Sequence, residues 1–233
     1  MRGLLLSVAV PLIALLALRA ALLARRRARY PVRELPGFLS DEECAHLIAR
    51  AEPLLRTSKV VVQGRVGLGD AGRRSATAFI DHGGDAIIEG IKRRVAALTD
   101  TDFAQQEPIQ VTHYGDGQFY ERHFDSLCAN GVDAGAPGDR AYTVIFYLND
   151  DYRGGATYFP SIRRRVRPER GKAVLFGNLN RARTAFEPLS IHAGERVRGG
   201  EKWLSNQWIR ERRASAASDV RTPRAAARGK RRK

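Results

Sequence analysis

The chain has 233 residues, 43% of them hydrophobic, which is enough for one well-buried globular domain. Its formal net charge of +15 suggests nucleic-acid binding. However, residues 1–34 hold seven Arg and one Glu, and residues 210–233 hold ten basic and two acidic residues. The segment between them holds 23 basic and 22 acidic residues, so it is nearly neutral. Because the central segment is nearly neutral, its charge gives no evidence for nucleic-acid binding. We therefore expect no specific nucleic-acid partner.

The amino-terminal segment, residues 1–34, has the composition of a membrane anchor. Between Gly3 and Ala24 the only charged residue is Arg19, and a helix of this length spans ~33 Å, enough for a bilayer core. Two alternatives are less favoured. A cleaved signal peptide would need a small-x-small cleavage site, which this segment lacks before the arginines. A buried core helix is disfavoured because the segment is apolar on all sides. The arginines that follow outnumber Arg2 and the amino terminus. The positive-inside rule therefore places the rest of the chain on the cytoplasmic side of the membrane.

Two amphipathic helices are predicted next. In LSDEECAHLIARAEPLL, Ser40 and Glu43 have the spacing of a capping box, and the apolar residues recur at helical intervals. GDAIIEGIKRRVAALT, residues 84–99, has the same periodicity. Between the helices, VVQGRVGLGDAGRRSATAFI, residues 61–80, is rich in glycine and basic residues, which favours a mobile connection over a core strand. Such connections often carry contacts to substrate.

From Pro108 onward the pattern changes to short runs rich in β-branched and aromatic residues, separated by turn signals. These runs are PIQVTHY, AYTVIFYLN, ATYFP, KAVLFGN and KWLSNQWI. Many short strands after two helices predict an α+β, mainly β fold in which helices pack on one side of a β-sandwich or barrel. A jelly-roll, the double-stranded β-helix, is the form that we favour.

The carboxyl-terminal residues 211–233 are rich in Ala and Arg without apolar periodicity, which predicts a disordered basic tail. The chain contains two cysteines, Cys44 and Cys128, and they lack the spacing of a zinc site. Their number suits a reducing compartment.

The stretch YERHFD, residues 120–125, contains the strongest chemical signal. In an extended strand the side chains of His123 and Asp125 point the same way, which is half of a metal site. A third ligand is needed, and spacing alone does not choose among His46, His82, His113 and His192. Two histidines and one carboxylate with open positions form the facial triad of non-haem Fe(II) oxygenases. The same ligands could also hold zinc for hydrolysis.

Six blocks between residues 35 and 210 make a family resemblance specific. In order they are LPGFLSDEEC, RRSATAF, VTHYGDGQFYERHFD, YTVIFYLNDDYRGGATYFP, VRPERGKAVLFGN and IHAGERVRGGEKWLSNQWI. The chain resembles the prolyl 4-hydroxylase branch of the Fe(II)/2-oxoglutarate dioxygenases. The resemblance covers residues 35–210, so together with the composition of the two ends we expect an anchor (1–34), a dioxygenase domain (35–210) and a tail (211–233).

The resemblance implies a role for nine residues. The catalytic iron ligands are His123, Asp125 and His192. Residues expected to bind the co-substrate 2-oxoglutarate are Lys202, which pairs with its distal carboxylate, and the hydrogen-bonding Tyr114 and Thr157. The positions that match the peptide side of the pocket are Arg140, Tyr120 and Trp208.

The implied activity is hydroxylation of a substrate C–H bond with Fe(II), 2-oxoglutarate and O₂, releasing succinate and CO₂. The expected substrate is a proline in a peptide or protein, hydroxylated at C4, and ascorbate is expected as an assisting reagent. Two alternatives stay open. One is a 2-oxoglutarate oxygenase that acts on a small molecule or a nucleic acid. The other is a non-catalytic jelly-roll binding module.

Overall fold

The computed structural model describes residues 18, 19, 21, 22, 25, 30–62, 65–68 and 72–213. Within these residues, no helix combines the length and apolarity needed to cross a bilayer. The predicted anchor, residues 3–24, lies largely outside the described residues, as do residues 214–233 of the predicted tail. Residues 63, 64 and 69–71 of the predicted mobile connection lie outside them too.

Both predicted helices are confirmed. Helix α1 spans Asp41–Ala51, and the Ser40 hydroxyl accepts a hydrogen bond from the Glu43 amide at 3.2 Å, which completes the predicted capping box. Helix α2 spans Ala86–Thr99 and is capped by the Asp85 carboxylate. Short 3₁₀ helices occupy Glu52–Leu54, Phe103–Gln105, Cys128–Asn130, Pro160–Ile162 and Pro188–Ser190.

The strands of the described residues are all paired antiparallel. In chain order they are β1 (Val32–Leu35), β2 (Arg56–Thr57), β3 (Lys59–Val62), β4 (Arg65–Leu68), β5 (Ala76–Ile80), β6 (Ile109–Tyr114), β7 (Tyr120–His123), β8 (Arg140–Tyr147), β9 (Arg153–Gly154), β10 (Thr157–Phe159), β11 (Arg164–Val166), β12 (Ala173–Gly177), β13 (His192–Gly194), β14 (Val197–Arg198) and β15 (Lys202–Arg210). The five strands predicted after Pro108 are β6, β8, β10, β12 and β15.

A large sheet has the strand order β1-β12-β8-β15-β6-β5-β2, and a smaller one has the order β11-β10-β13-β7. Because β1 pairs with β12, the large sheet already begins before the predicted domain boundary at residue 35.

The sequence interpretation of residues 61–80 is wrong in one respect, because Ala76–Ile80 forms β5 within the large sheet. Ala78 and Ile80 alternate with the exposed Phe79 and are each only 2% exposed. This alternation covers five residues, and the glycines and arginines before it dominate the composition of the longer segment. Upstream of β5, β3 and β4 pair with each other as a separate two-stranded unit.

Side-chain alternation along β8 divides the core into two layers. Val144 and Phe146 pack with α1, α2 and Ile209 on the outer face of the large sheet. Ile145 and Tyr147 instead pack between the sheets, where they meet residues of β10 and β11 such as Phe159. Two facing antiparallel sheets with helices on one outer face are the predicted jelly-roll architecture, which is thus confirmed. The inner layer leaves room for a cavity.

Candidate active site

A cavity of about 620 Å³ opens between the two sheets. All nine residues selected from the sequence line it, namely Tyr114, Tyr120, His123, Asp125, Arg140, Thr157, His192, Lys202 and Trp208. They come from β6, β7, β8, β10, β13 and β15 and from the segment after β7. The fold therefore assembles the predicted site from parts of the chain that are far apart in sequence.

The two histidines of the predicted triad lie side by side, because β7 and β13 pair with His123 opposite His192. Asp125 lies two residues beyond the end of β7. Its carboxylate oxygens lie 3.6 Å from Nε2 of His123 and 3.8 Å from Nε2 of His192. One ligand atom from each of the three residues falls within 4.8 Å of the others. The three side chains thus converge on one point.

Backbone carbonyls orient both imidazoles. Nδ1 of His123 lies 2.8 Å from the Glu121 carbonyl, and Nδ1 of His192 lies 2.9 Å from the Ser190 carbonyl. A carbonyl oxygen only accepts hydrogen bonds, so each Nδ1 must carry a proton, and in the neutral ring Nε2 then presents the lone pair. This is the tautomer that a metal ligand needs, held by the type of outer contact that fixes ligand rings.

The carboxylate of Asp125 is also fixed in place. The Thr143 hydroxyl donates a hydrogen bond to Asp125 Oδ2 at 2.7 Å, and the Asn178 amide donates to that hydroxyl at 2.8 Å. Burial alone would raise the pKa of Asp125, but His192 and His123 lower it well below its usual range. Asp125 is therefore an anion at neutral pH.

The donor set fits Fe(II). Burial, reinforced by the neighbouring His123, lowers the pKa of His192 to about 4, so its imidazole is neutral at physiological pH and free to ligate. Two imidazoles and one carboxylate on one side of a cavity leave the opposite side open to other ligands. This is the 2-His-1-carboxylate arrangement of non-haem Fe(II) oxygenases.

Lys202 supplies a buried positive charge in the same cavity. It is 2% exposed, and its Nζ donates a hydrogen bond to the Gly155 carbonyl at 2.6 Å. Among the described residues, no carboxylate forms an ion pair with it, and the charge of Glu195 acts on it only from a greater distance. Burial lowers the pKa of Lys202 to about 7. A buried ammonium without an anionic partner is costly, so this site is suited to receive a carboxylate.

Gly155 allows this arrangement. Its φ of +62° favours glycine, and a Cβ there would lie 2.6 Å from Tyr152 Cε2 and 3.2 Å from Lys202 Cδ. A side chain at this position would clash with the Tyr152 ring and press against the Lys202 side chain.

Two further residues of the predicted co-substrate site surround Lys202. The Tyr114 ring centroid lies 5.3 Å from Lys202 Nζ. Thr157 Oγ1 lies 2.7 Å from the Tyr147 hydroxyl, and the Tyr147 ring is 5.6 Å from Lys202 Nζ. Tyr147 was not selected from the sequence because an aromatic residue in an apolar strand reads as core. Its hydroxyl nevertheless holds Thr157 in position.

The three residues predicted on the peptide side line the same cavity as the His-Asp-His ligand group. Tyr120 stacks on His123 with a centroid distance of 3.7 Å. The Arg140 guanidinium lies 3.5 Å from the Trp208 ring centroid and forms hydrogen bonds of 2.9 and 2.8 Å with the two oxygens of Glu107. Arg140 is thus firmly paired, and its flat face covers Trp208.

Arg73 lines the same cavity, and sequence reasoning did not select it. It is 7% exposed and donates hydrogen bonds to the hydroxyls of Ser75, Thr77 and Thr112. Its guanidinium lies 4.6 Å from the Tyr120 ring centroid. In the part of the chain that the structure describes, Arg73 has no carboxylate partner. The block RRSATAF was the available signal, but it did not show which arginine turns inward.

Comparisons with known proteins agree with this geometry. Residues 109–210 match the model of the 2OG-Fe(II) oxygenase superfamily. The chain is 36% identical to prolyl 4-hydroxylase 1 of Arabidopsis thaliana over 197 residues, which cover 78% of this chain and 69% of the plant protein.

Solved structures are similar as well. A viral collagen prolyl hydroxylase of Paramecium Bursaria Chlorella virus-1, in complex with 2-oxoglutarate, superposes with a TM-score of 0.62 at 28% identity, covering 77% of this chain and 95% of that one. A Pseudomonas putida prolyl-4-hydroxylase shares the fold, with a TM-score of 0.56 at 20% identity and coverage of 83% and 99%.

The expectation of an enzyme that uses Fe(II), 2-oxoglutarate and O₂ is confirmed by this family match together with the converging His-Asp-His cluster. The chain belongs to the 2-oxoglutarate- and Fe(II)-dependent oxygenase superfamily, within the group of the prolyl 4-hydroxylases.

Proposed function

We propose that this protein hydroxylates proline residues within polypeptide chains, at C4, with Fe(II) held by His123, Asp125 and His192. The observation that carries the proposal is one cavity that holds both the three-ligand cluster and the unpaired Lys202 ammonium. The names of the similar proteins supply the substrate class, since the matched relatives are prolyl 4-hydroxylases.

Each residue of the cavity has a role in this scheme. His123, Asp125 and His192 would bind the metal and leave its remaining positions facing the cavity. When bound, the iron supplies the activation of O₂ that attack on an aliphatic C–H bond requires. Lys202 would pair with the distal carboxylate of 2-oxoglutarate, and Tyr114 and Thr157 would donate hydrogen bonds to the same co-substrate. These contacts fix which end of 2-oxoglutarate points to the metal.

The peptide side of the cavity offers donors to a polypeptide backbone. Arg73 and Trp208 both line the cavity, and the guanidinium of Arg73 has N–H groups on Nη1 that its hydrogen bonds to Ser75, Thr77 and Thr112 do not use. Peptide carbonyls are the acceptors that such groups need. Tyr120 and the Arg140–Trp208 stack would give flat walls for a proline ring. An extended polyproline-like segment suits such a site because it is already ordered before binding.

The substrate class gives a direct expectation. Peptides that contain proline should raise 2-oxoglutarate turnover above the rate without peptide and should gain one oxygen on proline, whereas free proline should do neither. The reason is that free proline lacks the flanking carbonyls that Arg73 would bind. The measurement is succinate release together with fragment mass spectrometry of the peptides. Matched peptides with alanine in place of proline are the control.

If free proline or a small metabolite is hydroxylated as efficiently as every peptide tried, the peptide substrate is wrong while the oxygenase chemistry stands. Screening a cell extract by the same mass shift, with the protein, Fe(II), 2-oxoglutarate and O₂ added, would identify the natural substrate.

We also propose that residues 3–24 anchor the protein in a membrane with the domain on the cytoplasmic face, and that ascorbate assists turnover. The apolar sequence and the arginines after it support the anchor. Deleting residues 1–29 should release the protein from membranes with its activity intact, because the nine site residues all follow Thr112. Fractionation and protease protection test this. Full-length protein found only in the soluble fraction would refute the anchor.

A further inference from the structure

The face of the large sheet that lines the cavity extends beyond the active site to the edge strand β2. The proposed chemistry does not use this edge. Directly opposed residues on neighbouring strands share a face, and the register forms a continuous row from Tyr147 through Leu204, Thr112 and Thr77 to Arg56. The row begins beside the co-substrate residues and ends on β2, at the edge of the sheet. Arg56 therefore faces the same cavity as Lys202.

A second row runs beside it. It joins Ile145, Asn206, Gln110 and Phe79. The Asn206 amide donates to Gln110 at 3.0 Å, so polar amides cover the centre of this row. The outer end is apolar and open, since Phe79 is 57% exposed and the nearby Leu54 is 49% exposed. We call Leu54, Arg56 and Phe79 the edge surface.

The charge near this surface is unbalanced. Among the described residues that line the cavity, the basic side chains are Arg56, Arg73, Arg140 and Lys202, and the only acidic one is Asp125. Arg140 is paired with Glu107, and Lys202 and Asp125 serve the co-substrate and the metal. Among the described residues, no carboxylate pairs with Arg56 or Arg73. The outer half of the cavity is thus positive and is flanked by exposed apolar side chains.

We propose that the edge surface binds the part of the polypeptide substrate that flanks the target proline, taking an acidic side chain on Arg56 and an apolar side chain on Phe79 and Leu54. This inference rests on the proposed prolyl hydroxylation and adds a sequence preference to it. The substrate polypeptide is the expected occupant of the edge surface, because the edge surface and the three metal-ligand residues line one continuous cavity.

The sheet geometry sets the position of the acidic residue. The metal ligand Asp125 is hydrogen-bonded to Thr143 on β8, next to β15 in the large sheet. The distance from the metal site to Arg56 on β2 is therefore between three strands, counted from β15, and four strands, counted from β8. At ~4.8 Å between strands this is ~14–19 Å, which an extended chain at ~3.3 Å per residue crosses in about four to six residues. An acidic residue about four to six positions from the proline should therefore reach Arg56.

The test uses synthetic peptides with one proline and with Glu, Ala or Lys placed three to seven positions away on either side. The Michaelis constant of the Glu peptide should be about 2–5-fold lower than that of the Ala peptide, as for an exposed ion pair. The Lys peptide should be the weakest. Arg56→Glu should reverse this order. Phe79→Ser should weaken peptides with Leu beside the acidic residue and leave those with Ala there unchanged.

Arg93→Glu is the matched control, because Arg93 is an exposed arginine on α2, on the outer face of the large sheet. It should leave the order of the peptides unchanged. Fluorescence anisotropy of labelled peptides, without iron or O₂, measures binding independently of turnover. Equal dissociation constants for the Glu and Lys peptides at every position, or an order unaffected by Arg56→Glu, would overturn the inference. Failure of every peptide to gain oxygen would instead contradict the proposed function, whatever the binding order.

Discussion

His192→Ala is expected to abolish 2-oxoglutarate turnover and to lower the affinity for Fe(II) by more than about 100-fold. Losing only a hydrogen-bond partner of a metal ligand typically costs about 10–100-fold, and this change removes a ligand itself. His123→Ala and Asp125→Ala should behave alike, because the ligand atoms of the three residues converge within 4.8 Å. The measurements are succinate release and Fe(II) titration of the purified protein.

His113→Ala is the matched control for this set. His113 lies one strand position away from Tyr114, but its Nε2 is 3.0 Å from Glu201 and its ring contacts Trp203, outside the cavity. It should keep turnover and iron affinity near those of the unmodified protein. Full 2-oxoglutarate turnover in His192→Ala would show that the cluster is not the metal site.

The second large effect is expected at Lys202. Lys202→Met should raise the Michaelis constant for 2-oxoglutarate strongly, because losing one partner of a buried, charged hydrogen bond costs about 2–5 kcal/mol. Folding should be affected little, since Met has a similar length and the change removes a buried charge that lacks an ion-pair partner in the described structure. Calorimetric binding of 2-oxoglutarate and a thermal melt separate these two effects. A folded Lys202→Met variant with unchanged affinity would contradict the assignment.

The pH dependence follows from the same residue. Burial lowers the pKa of Lys202 to about 7, so in the free protein the amine is charged below that pH and increasingly neutral above it. Pairing with a carboxylate requires the charged form. The Michaelis constant for 2-oxoglutarate should therefore rise as the pH increases above about 7, and this rise should be missing in Lys202→Met.

Local patterns predicted most of the fold. Ser40 and Glu43 marked the start of α1 because a capping box lies within four residues. The strands after Pro108 were visible because β-branched and aromatic runs are local too. Strand β5 was missed since its five residues follow a segment dominated by Gly and Arg. Its identity depends on pairing with β6, which sequence spacing does not contain.

Only the part of the site whose residues are close together in the sequence could be predicted from residue spacing. The spacing of His123 and Asp125 indicated half of a metal site, but the third ligand came only from the family resemblance, because the pairing of β7 with β13 is non-local. The residues that hold the site in place were not found. Thr143 and Arg73 look like an ordinary strand residue and an ordinary loop arginine until the fold brings them to Asp125 and Tyr120.

In this protein the coupling of 2-oxoglutarate oxidation to hydroxylation of a peptidyl proline is expected to take place in one cavity. Its most direct test is one reaction with a proline peptide under isotopically labelled O₂, in which hydroxyproline and succinate are both quantified by mass spectrometry. The account predicts equal amounts of the two products, with labelled oxygen in the peptide on proline. Succinate formed without any oxygen on proline, for every proline peptide tried, would contradict it.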